Sequence, residues 1–246
     1  MDSVRIQKTS PTLDIIANIG DDWAMRYPGG KGKTYPHLIN LMPPHQTYIE
    51  SHLGGGAVMR HKLPAKRQIG IDIDPRVIAN WKAFPAIPCD IVCADAAQYL
   101  GGLPVDQETL IYADPPYLSS TRKRSRVYRF DYTTEDHERL INCLLQKHCM
   151  VMISGYESDL YSSLLSAWKK VSFAAKTHSG MRRECVWLNY EPPRRLHDPR
   201  HLGNGFRERE IVRRRRSRLH SRIQNISQAE QYELLIWLQS QLGAPE

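Results

Sequence analysis

TLIYADPPY, residues 109–117, sets the reading of the whole chain. After Thr109 the run Leu110, Ile111, Tyr112, Ala113 shows no polar alternation, which is the composition of a strand buried on both faces. It stops on Asp114, Pro115 and Pro116. Prolines cannot continue a ladder, so they set a stiff turn at the strand's carboxyl end. Doubly buried strands belong to α/β proteins, and open α/β sheets place their ligands at such carboxyl ends.

Working outward, similar runs occur at TYIESH (47–52), RQIGID (67–72), CDIVCA (89–94), CMVMISG (149–155) and ECVWLNY (184–190). Helix-length segments at 56–62, 75–83, 133–147 and 157–168 separate them. The helix at 133–147 opens on Thr133 and Thr134 with acids in its first turn, as helix starts prefer. Alternation of this kind predicts a mainly parallel sheet with helices on both faces. The α/β core is expected over residues 21–193, after an N-terminal arm at 1–20. An arginine-rich linker at 194–226 and an amphipathic helix at 227–246 follow, the helix opened by a capping box of Ser227 and Glu230.

Of the 246 residues, 41% are hydrophobic and 24% charged, which excludes a disordered chain. No apolar run approaches the roughly 20 residues of a membrane span, and the N-terminus lacks a secretory pattern. A cytoplasmic protein with no membrane partner is expected. Five scattered cysteines, an odd number, argue against a disulfide framework. Cys143, His148 and Cys149 lie close together, but small buried thiols are the better reading than a zinc site, so no metal is expected. The net charge of +8 is localised. Residues 194–222 carry eleven arginines against Asp198, Glu208 and Glu210, which is 11 − 3 = +8. A polyanion held through its phosphates is the natural partner of such a segment.

Three elements carry chemistry. In DPPY (114–117), the Asp114 carboxylate and the Pro115 carbonyl are acceptors held rigidly by tandem prolines. A ring amine is a poor nucleophile because its lone pair is delocalised, and acceptors fixed against it help as it becomes tetrahedral. Tyr117 offers an aromatic face for a base swung out of a helix. In ESHLGGGAV (50–58), Gly54, Gly55 and Gly56 end a strand and open a helix, permitting positive φ and close ligand approach. A dinucleotide fingerprint fails there, since the third glycine position is Met59. Asp72, at the end of the next strand, can accept ribose hydroxyls. In RYPGGKGKT (26–34), Gly32, Lys33 and Thr34 match the end of a phosphate loop, but Tyr27 stands where its first glycine must be. Lys31 reads better as a clamp on a carboxylate.

A GGK segment, then a glycine-rich turn, then DPPY resembles, in that order, the Dam-like N6-adenine DNA methyltransferases. The likeness covers about residues 25–190. It includes TRKRSRVYRFDYTTEDHERL (121–140), VMISGYESDLYSSLL (151–165) and RRECVWLN (182–189), which look like segments of phage and prophage members. The resemblance implies a Rossmann-like S-adenosylmethionine-dependent fold and methyl transfer to a flipped-out adenine in DNA. It implies cofactor contacts from Tyr27, Lys31, the glycines at 54–56, Asp72 and Asp114, with Asp95 resembling the acid that faces the cofactor's adenine. Asp114, Pro115, Pro116 and Tyr117 would be the catalytic segment. Only 41 residues separate Asp72 from Asp114, leaving no room for the target-recognition insertion of better-studied relatives. DNA contact is therefore expected from Arg122, Lys123, Arg124 and Arg126 and from Arg213, Arg214, Arg215 and Arg216, with a short or relaxed sequence preference. The same acceptors would serve an amine of adenine in RNA or of cytosine in DNA. A nucleic-acid-binding protein with a degenerate transferase core is the alternative from a different class.

Overall fold

Each central strand of the sheet alternates its side chains between two apolar layers, and these layers explain why the strands read as continuous apolar runs. The computed structural model describes residues 30–83, 87–122, 129–177 and 180–242. The expected arm at 1–20 and Tyr27 lie outside the described residues. In chain order the elements are α1 (Tyr35–Ile39), β1 (Thr47–Glu50), α2 (Ala57–His61), β2 (Arg67–Asp72), α3 (Pro75–Ala83), β3 (Asp90–Cys93), α4 (Ala96–Gly102) and β4 (Thr109–Ala113). There follow α5 (Thr134–Leu145), β5 (Met150–Gly155), α6 (Asp159–Leu164), β6 (Lys169–Thr177), β7 (Gly180–Leu188), α7 (Phe206–Gln224) and α8 (Gln228–Leu242).

The seven strands lie in the order β3-β2-β1-β4-β5-β7-β6. The first five are parallel, while β7 runs antiparallel to both β5 and β6. This is the expected Rossmann-like α/β architecture, with β4 at the centre and every residue of it buried. Ile111 and Ala113 face one layer, with Ile49, Ile71, Ile153 and Trp187, covered by α4, α5 and α6 through Leu100, Ile141 and Tyr161. Leu110 and Tyr112 face the other, with Tyr48, Met152 and Leu188, covered by α1, α2 and α3 through Leu38, Met59 and Trp81. Burying a side chain of this kind contributes roughly 1.5–3 kcal/mol, so the two layers hold the sheet.

Local signals fix the helix starts. Thr133 Oγ1 accepts the Asp136 N–H and the Asp136 carboxylate accepts the Thr133 N–H, a complete capping box at α5. The edge strand β6 and the helices α1 and α4 are additions to the elements expected from sequence.

The chain divides after His197 into two compact units. In the second, α7 fills most of the segment expected to be a linker. Arginine is a good helix former, so a run of it stays helical without any apolar stripe. α8 begins at the capping box of Ser227 and Glu230 as expected. Along it Tyr232, Leu235, Ile236, Trp237 and Leu238 are exposed. No helix among the described residues is long and apolar enough to cross a membrane.

Candidate active site

Asp114 follows directly on β4, beside Ser154 of β5, and its two oxygens are treated differently. Oδ1 accepts from Lys31 Nζ at 2.7 Å and from Ser154 Oγ at 2.7 Å. The Tyr112 hydroxyl lies 3.0 Å from Ser154 Oγ and holds that donor in place. Oδ2 takes no donor among the described residues, and neither does the Pro115 carbonyl. The side chain of Asp114 keeps 16% of its surface exposed. The two acceptors picked out in the sequence thus take no donor among the described residues, Asp114 being partly exposed and Pro115 buried.

Lys31 is a clamp on carboxylates, but on those of the chain itself. Its buried ammonium lies 2.7 Å from Asp114 and 3.2 Å from Glu184 of β7, and it donates to the Tyr117 hydroxyl at 2.6 Å. That hydroxyl donates in turn to Glu184 Oε1 at 2.8 Å. Burial opposes the charge on Lys31, but Asp114 and Glu184 outweigh it and hold the amine well above its ordinary value. Burial pushes Asp114 up, Lys31 pulls it back, and Glu184 adds to the rise. The Tyr117 ring is almost wholly covered, meeting Tyr156 edge to face with centroids 4.5 Å apart. Arg182 lies over the Tyr156 ring at 5.0 Å and donates to the Thr121 carbonyl. Glu184 was not anticipated. A lone acid in a strand carries no signal in sequence until Lys31 is seen against it.

The glycine turn after β1 is held from behind by Asp72. One oxygen of Asp72 accepts the Gly54 N–H and the other the Asp74 N–H, each at 2.8 Å. Burial still pushes the carboxyl up. Gly54 and Gly56 have φ of 45° and 59°, in the left-handed region. At Gly56 the reason for glycine is also internal, since a Cβ there would lie 2.2 Å from Cζ2 of Trp81. The Trp81 indole donates to the Gly54 carbonyl at 2.9 Å, closing the turn. Asp95 caps α4 through the Gln98 N–H and takes a forked pair of bonds from Arg139.

Two further groups follow at the end of β1, a buried carboxyl and a half-buried histidine. Glu50, at the end of β1, accepts from the Tyr48 hydroxyl and the Met59 N–H, both at 3.0 Å and both on Oε2. Burial is the main cause that pushes its carboxyl up to about 8, with Asp114 adding to it. His52 lies between Ser51 Oγ and the Tyr132 hydroxyl, each at 2.9 Å. Burial lowers it to about 3, so the ring is neutral.

Of the basic residues assigned to nucleic acid, Lys123, Arg124 and Arg126 lie outside the described residues. Arg122 forks onto Asp131 at 2.8 and 3.0 Å with its side chain 7% exposed. On α7, Arg213 pairs with Glu210 at 2.7 Å, a surface pair of little energetic weight. Arg214 and Arg215 are exposed and Arg216 half-buried.

No protein-family model matches the chain, and no curated protein matches it in sequence. Among solved structures it is similar to magnesium protoporphyrin IX methyltransferase from Synechocystis PCC 6803 with bound SAM. That likeness has 12% identity and a TM-score of 0.45, over 74% of this chain and 92% of that one. It is similar to an rRNA methylase from Streptococcus thermophilus at 10% identity and a TM-score of 0.41, over 63% of this chain and 92% of that one. A precorrin 8W decarboxylase from Methanobacterium thermoautotrophicum matches at 10% identity and a TM-score of 0.42, over 66% of this chain and 91% of that one. At these identities and TM-scores the likenesses select no substrate, and the chemistry has to be read from the residues of this chain.

Proposed function

We propose that the chain is an S-adenosylmethionine-dependent methyltransferase acting on the exocyclic amine of adenine in DNA. The observation that carries this reading is the divided carboxylate of Asp114: Oδ1 is taken up by Lys31 and Ser154, while Oδ2 and the Pro115 carbonyl beside it accept no donor among the described residues. Two fixed acceptors suit a substrate that must be held by its N–H groups while its lone pair is freed.

The donor set also fits a cationic sulfonium cofactor. Lys31 is paired with both Asp114 and Glu184, so two carboxylates face one ammonium at this end of the sheet. When bound, the cofactor supplies a methyl carbon whose bond to sulfur breaks with the electron pair staying on sulfur. Asp114 and the glycine turn would hold it, with Lys31 fixing Asp114 in place. Asp114 Oδ2 accepts an N–H of the substrate amine as the new N–C bond forms. It then takes the proton that the nitrogen sheds and passes it to water. The raised Asp114 carboxyl suits that acceptance. DNA as the polyanion is supported by α7, in which eight arginines face two glutamates for a net +6. The Dam-like order of motifs favours adenine.

Incubation with cofactor and separate pools of duplex DNA, single-stranded DNA and RNA, followed by mass spectrometry of the nucleosides, tests the reading. N6-methyladenine in a DNA pool is the expected product. Asp114→Ala is expected to lower turnover by about 10²–10³ or more, the cost of losing a preorganised stabilising group, while DNA binding persists. Near-normal turnover of that variant would sink the mechanism, and a methylated RNA or cytosine product would replace the substrate.

A further inference from the structure

We propose that Glu184 is a positioning residue for Asp114, acting through Lys31. It holds the ammonium on Asp114 Oδ1, so that Oδ2 is the oxygen presented to a substrate amine, and it places a second negative charge beside that carboxylate. The catalytic meaning rests on the methyl-transfer reading, whereas the positioning stands on geometry.

An ammonium has three protons to give. Lys31 donates to Asp114 Oδ1 (2.7 Å) and to the Tyr117 hydroxyl (2.6 Å), and its nitrogen lies 3.2 Å from Glu184 Oε1 as an ion pair. A lysine facing one carboxylate alone could slide between its two oxygens. Here the Tyr117 bond and the Glu184 ion pair anchor the ammonium from the other side, Tyr117 itself donates to Glu184, and the bond that Lys31 makes to Asp114 goes to Oδ1. Ser154 meets the same oxygen at 2.7 Å. Glu184 occupies the required place because β7 runs antiparallel: Cys185 pairs with Gly155, the last residue of β5, and Glu184 lies one residue beyond that end.

The charge effect follows from the same contacts. Two carboxylates share one ammonium, and Oδ1 and Oε1 can be no farther apart than contacts of 2.7 and 3.2 Å laid end to end. The other titratable groups facing Asp114 are Tyr48 and Glu50 from β1, Tyr112 from β4, Tyr117, and Tyr161 from α6. Burial does most to raise the Asp114 carboxyl, Lys31 opposes it, and Glu184 reinforces burial. A carboxyl held up in this way takes the amine's proton more readily.

Glu184→Gln keeps the shape and an acceptor oxygen but removes the charge. The experiment titrates the Asp114 carboxyl by 13C NMR in the full chain, assigned with Asp114→Asn, for wild type, Glu184→Gln and Glu184→Asp. No substrate is needed. Removing a like charge roughly 6 Å away is expected to lower the Asp114 midpoint by about one pH unit, between the values for a surface and a partly buried pair. Glu184→Asp is expected to return it toward wild type. The pH profile of methyl transfer should then move by the same amount, with KM for the cofactor unchanged. An unmoved midpoint in Glu184→Gln, or no recovery in Glu184→Asp, overturns the proposal whatever the activity. A moved midpoint in a protein that methylates no pool overturns the methyl-transfer reading and leaves the positioning intact.

Discussion

Replacing Glu50 by Gln should stabilise this protein, and increasingly so as the pH rises. Glu50 is a buried carboxyl that burial, with a contribution from Asp114, pushes from an ordinary 4.5 up to about 8. Tyr48 and Met59 both donate to Oε2, which leaves Oε1 to carry the proton. Glutamine reproduces this arrangement, with its carbonyl in the place of Oε2 and its amide in the place of the protonated oxygen. Between pH 4.5 and 8 the folded chain keeps a proton that the unfolded chain has released. The sign follows from linkage: the native state binds more protons in this window, so stability falls as pH rises. Each pH unit costs about 1.4 kcal/mol. From pH 5 to 8 the wild type should therefore lose about 3–4 kcal/mol relative to Glu50→Gln, a large share of the roughly 5–15 kcal/mol of a typical domain. Urea unfolding of both proteins at pH 5, 6.5 and 8 measures the difference directly. A difference that does not change with pH would refute the protonated Glu50. So would a glutamine variant less stable at pH 8, which would mean that Glu50 is an anion needed by a nearby cation such as Lys62.

Two further outcomes follow from features of the turn and of α7. Gly56→Ala places a Cβ 2.2 Å from Trp81 and forces alanine to φ 59°, so thermal or urea unfolding should show a loss of about 2–4 kcal/mol, overpacking and left-handed strain together. Changing Arg213, Arg214, Arg215 and Arg216 to Gln should lower the slope of log affinity for duplex DNA against log salt by about 3–4, at about 0.9 per phosphate contact, and an unchanged slope would show that these arginines do not meet phosphates.

The core of the fold was legible because burial on two faces leaves a plain mark: TLIYA and MVMISG admit hardly any polar residue, and both are central strands. β6 was not legible. It is an edge strand that opens on Lys169 and Lys170 and pairs only with β7, so nothing requires it to be apolar. α7 was read as a linker because helical periodicity needs an apolar face, and a helix with no buried residue has none. At the site, Asp114 and Lys31 were found from local motifs. Asp72 was found too, but its two backbone partners, Gly54 and Asp74, show it bracing the glycine turn, a role that spacing alone does not reveal. Glu184 escaped because its meaning depends on a lysine on the far side of the sequence, brought to it only by the reversal of one strand.

That reversal has a consequence for how the site comes into being. Lys31 precedes the first strand and Glu184 lies on the last, so the chain must be made almost to the end of the sheet before the ammonium finds its second carboxylate. In a chain that stops short of β7, Lys31 has Asp114 to pair with but not Glu184. Closing of the sheet by β7 and closing of the clamp on Lys31 thus coincide in this protein.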